Sequence, residues 1–172
     1  MSSGDPAAPS VRRELQRKAI HMATAVLPVA YAAGAPRWAM VGVTAGLTTL
    51  AVAVEVARRR WPAARDRFAA LTGPLLRPHE AAGGVAGATW LFAAFCAVCA
   101  MTAPPVAIAA MWAVSAGDGA ASVVGRAVGR VRWGSGKTLE GSLALALMTA
   151  AGAWGLAGWP LPVASGLGLA AA

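Results

Sequence analysis

Residues 38–57 read WAMVGVTAGLTTLAVAVEVA, and they decide the fold class because the stretch contains a single charged side chain, that of Glu55. A helix that crosses a bilayer needs roughly 20 apolar residues. The rest of the chain has the same character. Of its 172 residues, 58% are hydrophobic and 13% are charged, whereas soluble domains are about 45–50% apolar and about 25% charged. Such a chain cannot cover itself with a water-compatible surface, so the sequence predicts a membrane protein and excludes Rossmann, barrel and sandwich folds.

Further apolar runs lie on both sides of this stretch, and together they predict an all-α fold. We expect a polytopic membrane helical bundle of about five to six transmembrane helices. Its spans are predicted at about residues 19–35, 38–57, 83–101, 106–124 and 139–157. The residues after the fifth span are too few for a comfortable crossing unless they join the preceding helix or form a short one.

The first apolar run allows two interpretations. It imitates a secretory signal, because it combines a basic flank, an apolar stretch and the sequence Ala30-Tyr31-Ala32. The long charged lead-in and His21, which would be unusual in a disposable segment, argue for a retained span instead. Within that span, Pro28 predicts a kink.

The basic residues predict the topology. Residues 1–10 are small, polar and proline-containing and predict a disordered tail, whereas residues 11–172 predict a single transmembrane helical domain. Every Lys and Arg except Arg37 lies in the amino-terminal flank or in loops predicted at about 58–80 and 125–138. Alternate spans place these three segments on one face, so the positive-inside rule makes the amino terminus and both loops cytoplasmic.

Charge and composition also bear on partners and location. The net charge of +8 and the pI near 11.3 would suit a nucleic-acid binder, but the basic residues lie in blocks between apolar runs, so we expect no nucleic-acid partner. The chain has no Asn and much Ala, Gly, Arg and Pro, which indicates a GC-rich bacterial gene. We therefore expect a multi-pass protein of the bacterial inner membrane.

Carboxylates near apolar runs are functional candidates, because burying one in a membrane costs about 2.5–3.5 kcal/mol on insertion scales. All such residues of this chain fall toward the cytoplasmic ends of the predicted spans: Glu14, Glu55, Glu80, Asp118 and Glu140. Oxygen ligands suit Mg²⁺, and the neighbouring cations suit phosphate. The sequence therefore predicts a metal–polyphosphate site at this membrane edge.

Two groups of residues share helix faces at this edge. Glu14, Arg17, Lys18 and His21 are spaced for one face of a helix that enters the first span. These residues fit either a site or a basic flank with one intrahelical ion pair. The second group is a stripe of small or polar side chains: Asp118, Ala121, Ser122, Gly125 and Gly129. Close helix packing would explain the glycines but does not require an aspartate, so a ligand or metal role is favoured for Asp118.

Residues 134–138, Gly-Ser-Gly-Lys-Thr, end like a P-loop, but Val131 stands where that motif requires glycine and the preceding strand is lacking. A glycine-rich turn that opens a helix at about Thr138 still exposes backbone N–H groups to phosphate, with Lys137 adjacent. Glu140 has the alternative explanation of a first-turn acid favoured by the helix dipole.

Four blocks of the sequence occur in succession: Glu14-x-x-Arg17-Lys18-x-x-His21; Arg77-x-x-Glu80 with Gly87-Ala88-Thr89-Trp90; Gly117-Asp118-x-x-Ala121-Ser122-x-x-Gly125-Arg126-x-x-Gly129; and Gly136-Lys137-Thr138-x-Glu140-Gly141-Ser142. Over residues 14–142 they resemble the membrane-embedded CTP-dependent lipid-alcohol kinases, which include phytol kinase, dolichol kinase and the CTP-dependent diacylglycerol kinase. The last two blocks are the more specific. Similar elements are shared with CDP-diacylglycerol synthases, so a CTP-dependent cytidylyltransferase remains the alternative.

The resemblance implies transfer of the γ-phosphoryl group of CTP to a lipid alcohol, either an isoprenoid alcohol or a diacylglycerol. Asp118 would hold Mg²⁺, with Glu140 as a second metal ligand or as acceptor of the alcohol proton. The implied catalytic residues are Asp118, Lys137, Glu140 and His21. The implied nucleotide-binding residues are Arg17, Lys18, Gly117, Arg126, Gly136 and Thr138.

Members of this family usually continue through further spans to a carboxy-terminal Asp-Asn element, which residues 1–172 do not contain, so we expect a shortened variant or a fragment. A small non-enzymatic transporter or scaffold is the remaining alternative. It predicts titratable groups distributed across the bilayer depth, whereas those of this chain gather at one end of the predicted spans. Membrane lipids are expected partners in every case. Homo-oligomers are permitted by the G-x-x-x-G pairs at Gly42/Gly46, Gly83/Gly87 and Gly125/Gly129.

Overall fold

The computed structural model describes residues 11–73, 76, 78–133 and 137–172. The predicted tail at residues 1–10, the side chain of Glu14, Arg77 and the predicted nucleotide-binding residue Gly136 lie outside this described part.

The described chain is helical throughout, apart from one short β-ribbon, which confirms the predicted all-α class. Its helices are α1 (Val11–Ala23), α2 (Val26–Ala32), α3 (Arg37–Arg60), α4 (Pro62–Thr72), α5 (Pro78–Ala81), α6 (Gly87–Met101), α7 (Pro104–Trp112), α8 (Asp118–Ala127), α9 (Leu139–Gly155) and α10 (Leu161–Ala171). A π-helical turn, Ala113–Gly117, joins α7 to α8. Strands β1 (Arg132–Trp133) and β2 (Lys137–Thr138) pair antiparallel, with Arg132 opposite Thr138.

Among the described residues, two helical segments are long and apolar enough to cross a membrane: Arg37–Arg60 and Pro104–Ala127, each of 24 residues. Gly87–Met101 and Leu161–Ala171 are apolar but shorter. The number of full-length candidate spans is therefore smaller than the five to six predicted. The span predicted at 83–101 is shorter because α6 begins only at Gly87, after Gly83 with its positive φ of 101° and three non-helical residues.

The first predicted span is interrupted between α1 and α2, one turn before Pro28. Proline has no N–H, so the carbonyl of Thr24 lacks its usual helical partner four residues later. The Leu27 N–H bonds to that carbonyl instead, at 3.0 Å. The interruption separates α1, which carries predicted site residues, from α2, which packs into the core.

The core lies between α2, the beginning of α3, α6, α7, α9 and α10. Among the described residues it contains three buried sulfur side chains, Met40 of α3, Cys99 of α6 and Met111 of α7, and the half-buried or buried apolar residues around them, including Phe95 and Ala153. Helix α10 packs closely on α9, since a Cβ atom at Gly168 would lie 2.3 Å from the Ala146 carbonyl oxygen. The residues that follow the fifth predicted span therefore form a separate short helix against it.

The contact between α7 and α9 depends on glycine at position 152. A Cβ atom there would lie 2.0 Å from Cδ1 of Trp112, whose Nε1 donates to the Met148 carbonyl at 2.7 Å. Because this hydrogen bond holds the indole in place, we expect Gly152→Ala to lower the free energy of unfolding by about 1–3 kcal/mol through overpacking. A denaturant titration of the detergent-solubilised protein measures the change.

Gly155→Ala is the matched control, because it adds the same methyl group to the same helix where nothing lies within 4 Å. We expect this variant to unfold at the wild-type midpoint or above it. Equal losses in the two variants would contradict the role given to the Trp112 contact.

Candidate functional site

A cavity of about 400 Å³ lies where α8, the β-ribbon and the beginning of α9 meet. Its wall on α8 consists of small or polar residues at helical spacing, Ala121, Ser122 and Gly125, and Gly129 continues this wall just after the helix ends. Gly141, Ser142 and Leu145 of α9 form the facing wall. The stripe predicted along α8 therefore faces this cavity.

The charges of the cavity are mostly positive. Among the described residues that line it, the cations are Lys18, Arg126, Arg132 and Lys137, and the carboxylate is Asp118. They come from α1, α8 and both strands of the ribbon, so four separate segments contribute charge to one space. Such a set matches a ligand with several negative charges.

Asp118 begins α8 and makes an ion pair with α1. Its Oδ2 lies 2.5 Å from Lys18 Nζ. The Lys18 side chain is 16% exposed and that of Asp118 is 52% exposed, so the aspartate remains accessible from the cavity. The π-helical turn directly before Asp118 is a distortion found frequently at functional sites.

Helix α1 is fixed to this turn by two further polar contacts. His21 Nε2 donates to the Val114 carbonyl at 3.0 Å, and the hydroxyls of Thr24 and Ser115 lie 2.8 Å apart. His21, predicted to be catalytic, thus has a backbone partner and does not line the cavity. Its contact positions α1 so that Lys18, three residues earlier, reaches Asp118.

Thr138 joins the ribbon to α9 and to the wall on α8. Its hydroxyl accepts the Gly141 N–H at 3.2 Å and caps α9. A Cβ atom at Gly125 would lie 2.7 Å from that hydroxyl oxygen, so α8 must approach Thr138 with a glycine. The residue, which is predicted to bind nucleotide, lines the cavity, and the positive end of the α9 dipole lies beside it.

Glu140 lies in the first turn of α9 and contacts the segment before β1. Its Oε1 accepts the backbone N–H groups of Arg130 at 3.0 Å and Val131 at 3.3 Å, and it does not appear among the residues that line the cavity. Leu139 N–H also donates to the Val131 carbonyl at 2.9 Å. The carboxylate therefore holds the segment that leads into β1, and its assignment as a second metal ligand stays a prediction.

Two further predicted nucleotide-binding residues lie outside the lining. Gly117 is buried against α9, where a Cβ atom would lie 2.7 Å from Leu145 Cδ1 and 3.1 Å from Thr149 Oγ1. Gly117 thus allows α8 and α9 to approach. Arg17 is half-buried on α1 and does not contribute to the cavity wall.

Glu55 and Glu80 belong to a second polar cluster instead of this cavity. Glu55 accepts Arg58 Nε at 2.9 Å and the Ala86 N–H at 2.8 Å, and Glu80 accepts the Gly87 N–H at 2.7 Å. Both carboxylates are buried and satisfy backbone donors at the beginning of α6. Their role is to connect α3 with α6.

Magnesium fits the cavity only in part. No cluster of three or more His, Cys, Asp or Glu side chains that could cage a metal occurs in the described part of the chain. Mg²⁺ in nucleotide sites is typically bound through one or two carboxylates together with substrate phosphates and water. Asp118 alone therefore suits a metal ion that arrives on a polyphosphate, and no second carboxylate side chain is present in the described lining.

No protein-family model, no curated protein and no solved structure matches the chain. The function is therefore inferred from the chemistry of the cavity and from the sequence blocks. Sequence reasoning did not single out Arg132 or Ser142, although both line the cavity. The ribbon that carries Arg132 lies in a glycine-rich segment, where no helical period indicates which side chains share a face.

Proposed function

We propose that the protein is an integral membrane kinase that transfers the γ-phosphoryl group of CTP to a lipid alcohol, of the phytol or polyprenol type or a diacylglycerol. The observation that carries the proposal is the cavity in which Asp118 and Lys137 lie together with three further cations. These two residues come from the two most specific blocks of the resemblance to CTP-dependent lipid-alcohol kinases. CTP as the donor is an inference from that resemblance.

Exposure of apolar side chains supports the membrane part of the proposal. Helix α3 has a mean hydropathy of 1.7 over its most apolar window, yet only 17% of that window is buried. A core helix of a soluble protein would be mostly buried. Large side chains such as Trp38, Val43 and Leu50 are exposed along α3, and lipid would cover them at no cost in hydrophobic free energy. We propose a multi-pass inner-membrane protein with a cytoplasmic amino terminus and with α6, α9 and α10 completing the bundle.

The cavity suits phosphoryl transfer because this reaction depends mainly on positioning and charge neutralisation. Mg²⁺ carried by the nucleotide would supply positive charge that offsets the charge of the phosphates. Asp118 would bind that ion, and Arg126, Arg132 and Lys137 would contact the phosphate oxygens. Lys18, which holds Asp118 in the present arrangement, is close enough to the same space to contact phosphate as well. The acceptor hydroxyl would enter beside Leu145, with its tail in lipid.

Transfer of label tests the proposal. Purified protein with Mg²⁺ and γ-labelled CTP is expected to label at least one of phytol, geranylgeraniol, undecaprenol and diacylglycerol, and to release CDP. Parallel reactions with γ-labelled ATP test the choice of nucleotide. Absence of label in every acceptor would contradict the kinase.

A cytidylyltransferase that acts on a lipid phosphate is the second candidate. It is favoured by the Gly117-Asp118 and Lys137-Thr138-x-Glu140-Gly141 elements, which CDP-diacylglycerol synthases share. Such an enzyme releases pyrophosphate from CTP and transfers the α-phosphoryl group with the cytidine. Label that appears in pyrophosphate and not in the lipid would favour it over the kinase.

Lys137→Ala is expected to raise the KM for CTP about tenfold, which corresponds to about 1.4 kcal/mol of lost binding free energy. Lys137 is exposed on β2, and its ammonium group would contact phosphate as a point charge. Because the side chain is exposed, the unfolding midpoint should stay at the wild-type value. An unfolded variant, or one with an unchanged KM, would contradict a role in nucleotide binding.

A further inference from the structure

A second positively charged surface lies at the end of α3, apart from the cavity. Four exposed arginines from the end of α3 and the first half of α4 form it: Arg59, Arg60, Arg65 and Arg67. We name this set the α3–α4 basic surface. It includes one exposed acid, Asp66, which lies 3.5 Å from Arg65 as an exposed pair and contributes little, and Arg59 lies 3.4 Å from the buried carboxylate of Glu55. None of the four arginines lines the cavity.

Its position follows from the end of a candidate span. Helix α3 ends at Arg60, and the extended conformation of Trp61 separates α3 from α4. Arg58 remains buried, with its guanidinium 5.0 Å from the centre of the Phe68 ring, so α4 packs against the end of α3. If α3 crosses the bilayer, α4 begins at the boundary between lipid and water.

Apolar side chains accompany the arginines at this boundary. Trp61 is 62% exposed and Leu71 is 81% exposed, so the two ends of α4 each present a large apolar group next to basic residues. Tryptophan prefers the headgroup level of a membrane. Clustered basic residues directly after a span attract anionic lipid, by about 1 kcal/mol for each residue.

We infer that the α3–α4 basic surface binds anionic phospholipid headgroups and holds α4 against the membrane leaflet. The inference rests on the membrane assignment within the proposed function and is independent of the kinase chemistry. The partner is a lipid leaflet rather than a soluble polyanion, because Arg59 and Arg60 end a candidate span and Arg65 and Arg67 lie between exposed Trp61 and Leu71.

Lipid retention tests this inference. The full chain is reconstituted in vesicles of equal parts phosphatidylcholine and phosphatidylglycerol and then extracted in a neutral detergent. The ratio of the two lipids that remain bound is measured by mass spectrometry. We expect the wild type to retain phosphatidylglycerol in about tenfold excess at low salt and to lose this excess at about 0.5 M salt, where charges are screened within a few ångströms.

The matched variants separate charge from fold. A variant with Arg59→Gln, Arg60→Gln, Arg65→Gln and Arg67→Gln is expected to retain the two lipids in their input ratio, whereas lysine at the same four positions should keep the excess. A wild-type chain without the excess, or a glutamine variant that keeps it, would overturn the inference. Release of the wild type from vesicles by alkaline carbonate would overturn the membrane assignment itself. A wild type that stays in the vesicles in carbonate but retains the two lipids in their input ratio would overturn only the lipid-binding role of the α3–α4 basic surface.

Discussion

Asp118→Asn is expected to reduce transfer of the γ-phosphoryl group of CTP by about 10²–10³-fold or more, the loss seen when one electrostatic group is removed from a transition-state site. Asparagine has nearly the same shape, but it lacks the negative charge that Mg²⁺ prefers in an oxygen ligand. Initial rates with γ-labelled CTP, Mg²⁺ and the best lipid acceptor measure the effect.

Ser122→Ala is the control for this variant. Ser122 lies one helical turn after Asp118 on the same wall of the cavity, so the control removes a polar group from the same wall without changing the charge. We expect it to keep most of the activity. The unfolding midpoint of Asp118→Asn should change little, because an ion pair whose aspartate is 52% exposed contributes about 1 kcal/mol or less. Wild-type activity in Asp118→Asn would contradict the assignment of Asp118 as the residue that binds Mg²⁺.

Glu140→Ala and Glu140→Gln are expected to differ widely in their effects. Glutamine keeps an oxygen that can accept the N–H groups of Arg130 and Val131, whereas alanine removes the acceptor and frees the segment that leads into β1. Because Arg132 and Lys137 are carried by that ribbon, we expect Glu140→Ala to raise the KM for CTP by about 10- to 100-fold, the range expected when a positioned group shifts by about 1 Å. Glu140→Gln should stay within about threefold of the wild type.

A catalytic carboxylate at Glu140 predicts the opposite result. If Glu140 bound Mg²⁺ or accepted the alcohol proton, glutamine would lower kcat as strongly as alanine. Amide hydrogen exchange gives an independent measurement, since the Arg130 and Val131 amides should lose protection in Glu140→Ala and keep it in Glu140→Gln. Equal protection in both variants would contradict the positioning role.

The part of the site that the sequence predicted best is the wall on α8. Helical spacing alone places Asp118, Ser122 and Gly125 on one face, and the structure brings that face to the cavity. Close helix packing, the other explanation of these glycines, also holds, because Gly125 approaches Thr138 closely. A residue that lets two helices approach can therefore also leave the space that forms a cavity beside them.

The rest of the site could not be read from periodicity. A predicted topology gives the side of the membrane on which a residue lies, but not its position around the bundle. Glu55 and Glu80 were therefore grouped with Asp118, whereas they bind backbone donors at the beginning of α6. Glu140 was correctly placed in the first turn of a helix, but its contacts with Arg130 and Val131 depend on how the loop returns.

Binding of CTP with and without Mg²⁺ tests the central claim most directly, namely that Asp118 and Lys137 hold one magnesium-bound nucleotide in the same cavity. Equilibrium dialysis of labelled CTP against the detergent-solubilised protein measures both affinities for the wild type, Asp118→Asn and Lys137→Ala. The account predicts that Mg²⁺ tightens binding to the wild type, that Asp118→Asn loses this gain, and that Lys137→Ala weakens binding under both conditions. A wild type that binds no CTP, or a magnesium-dependent gain that persists in Asp118→Asn, would contradict it.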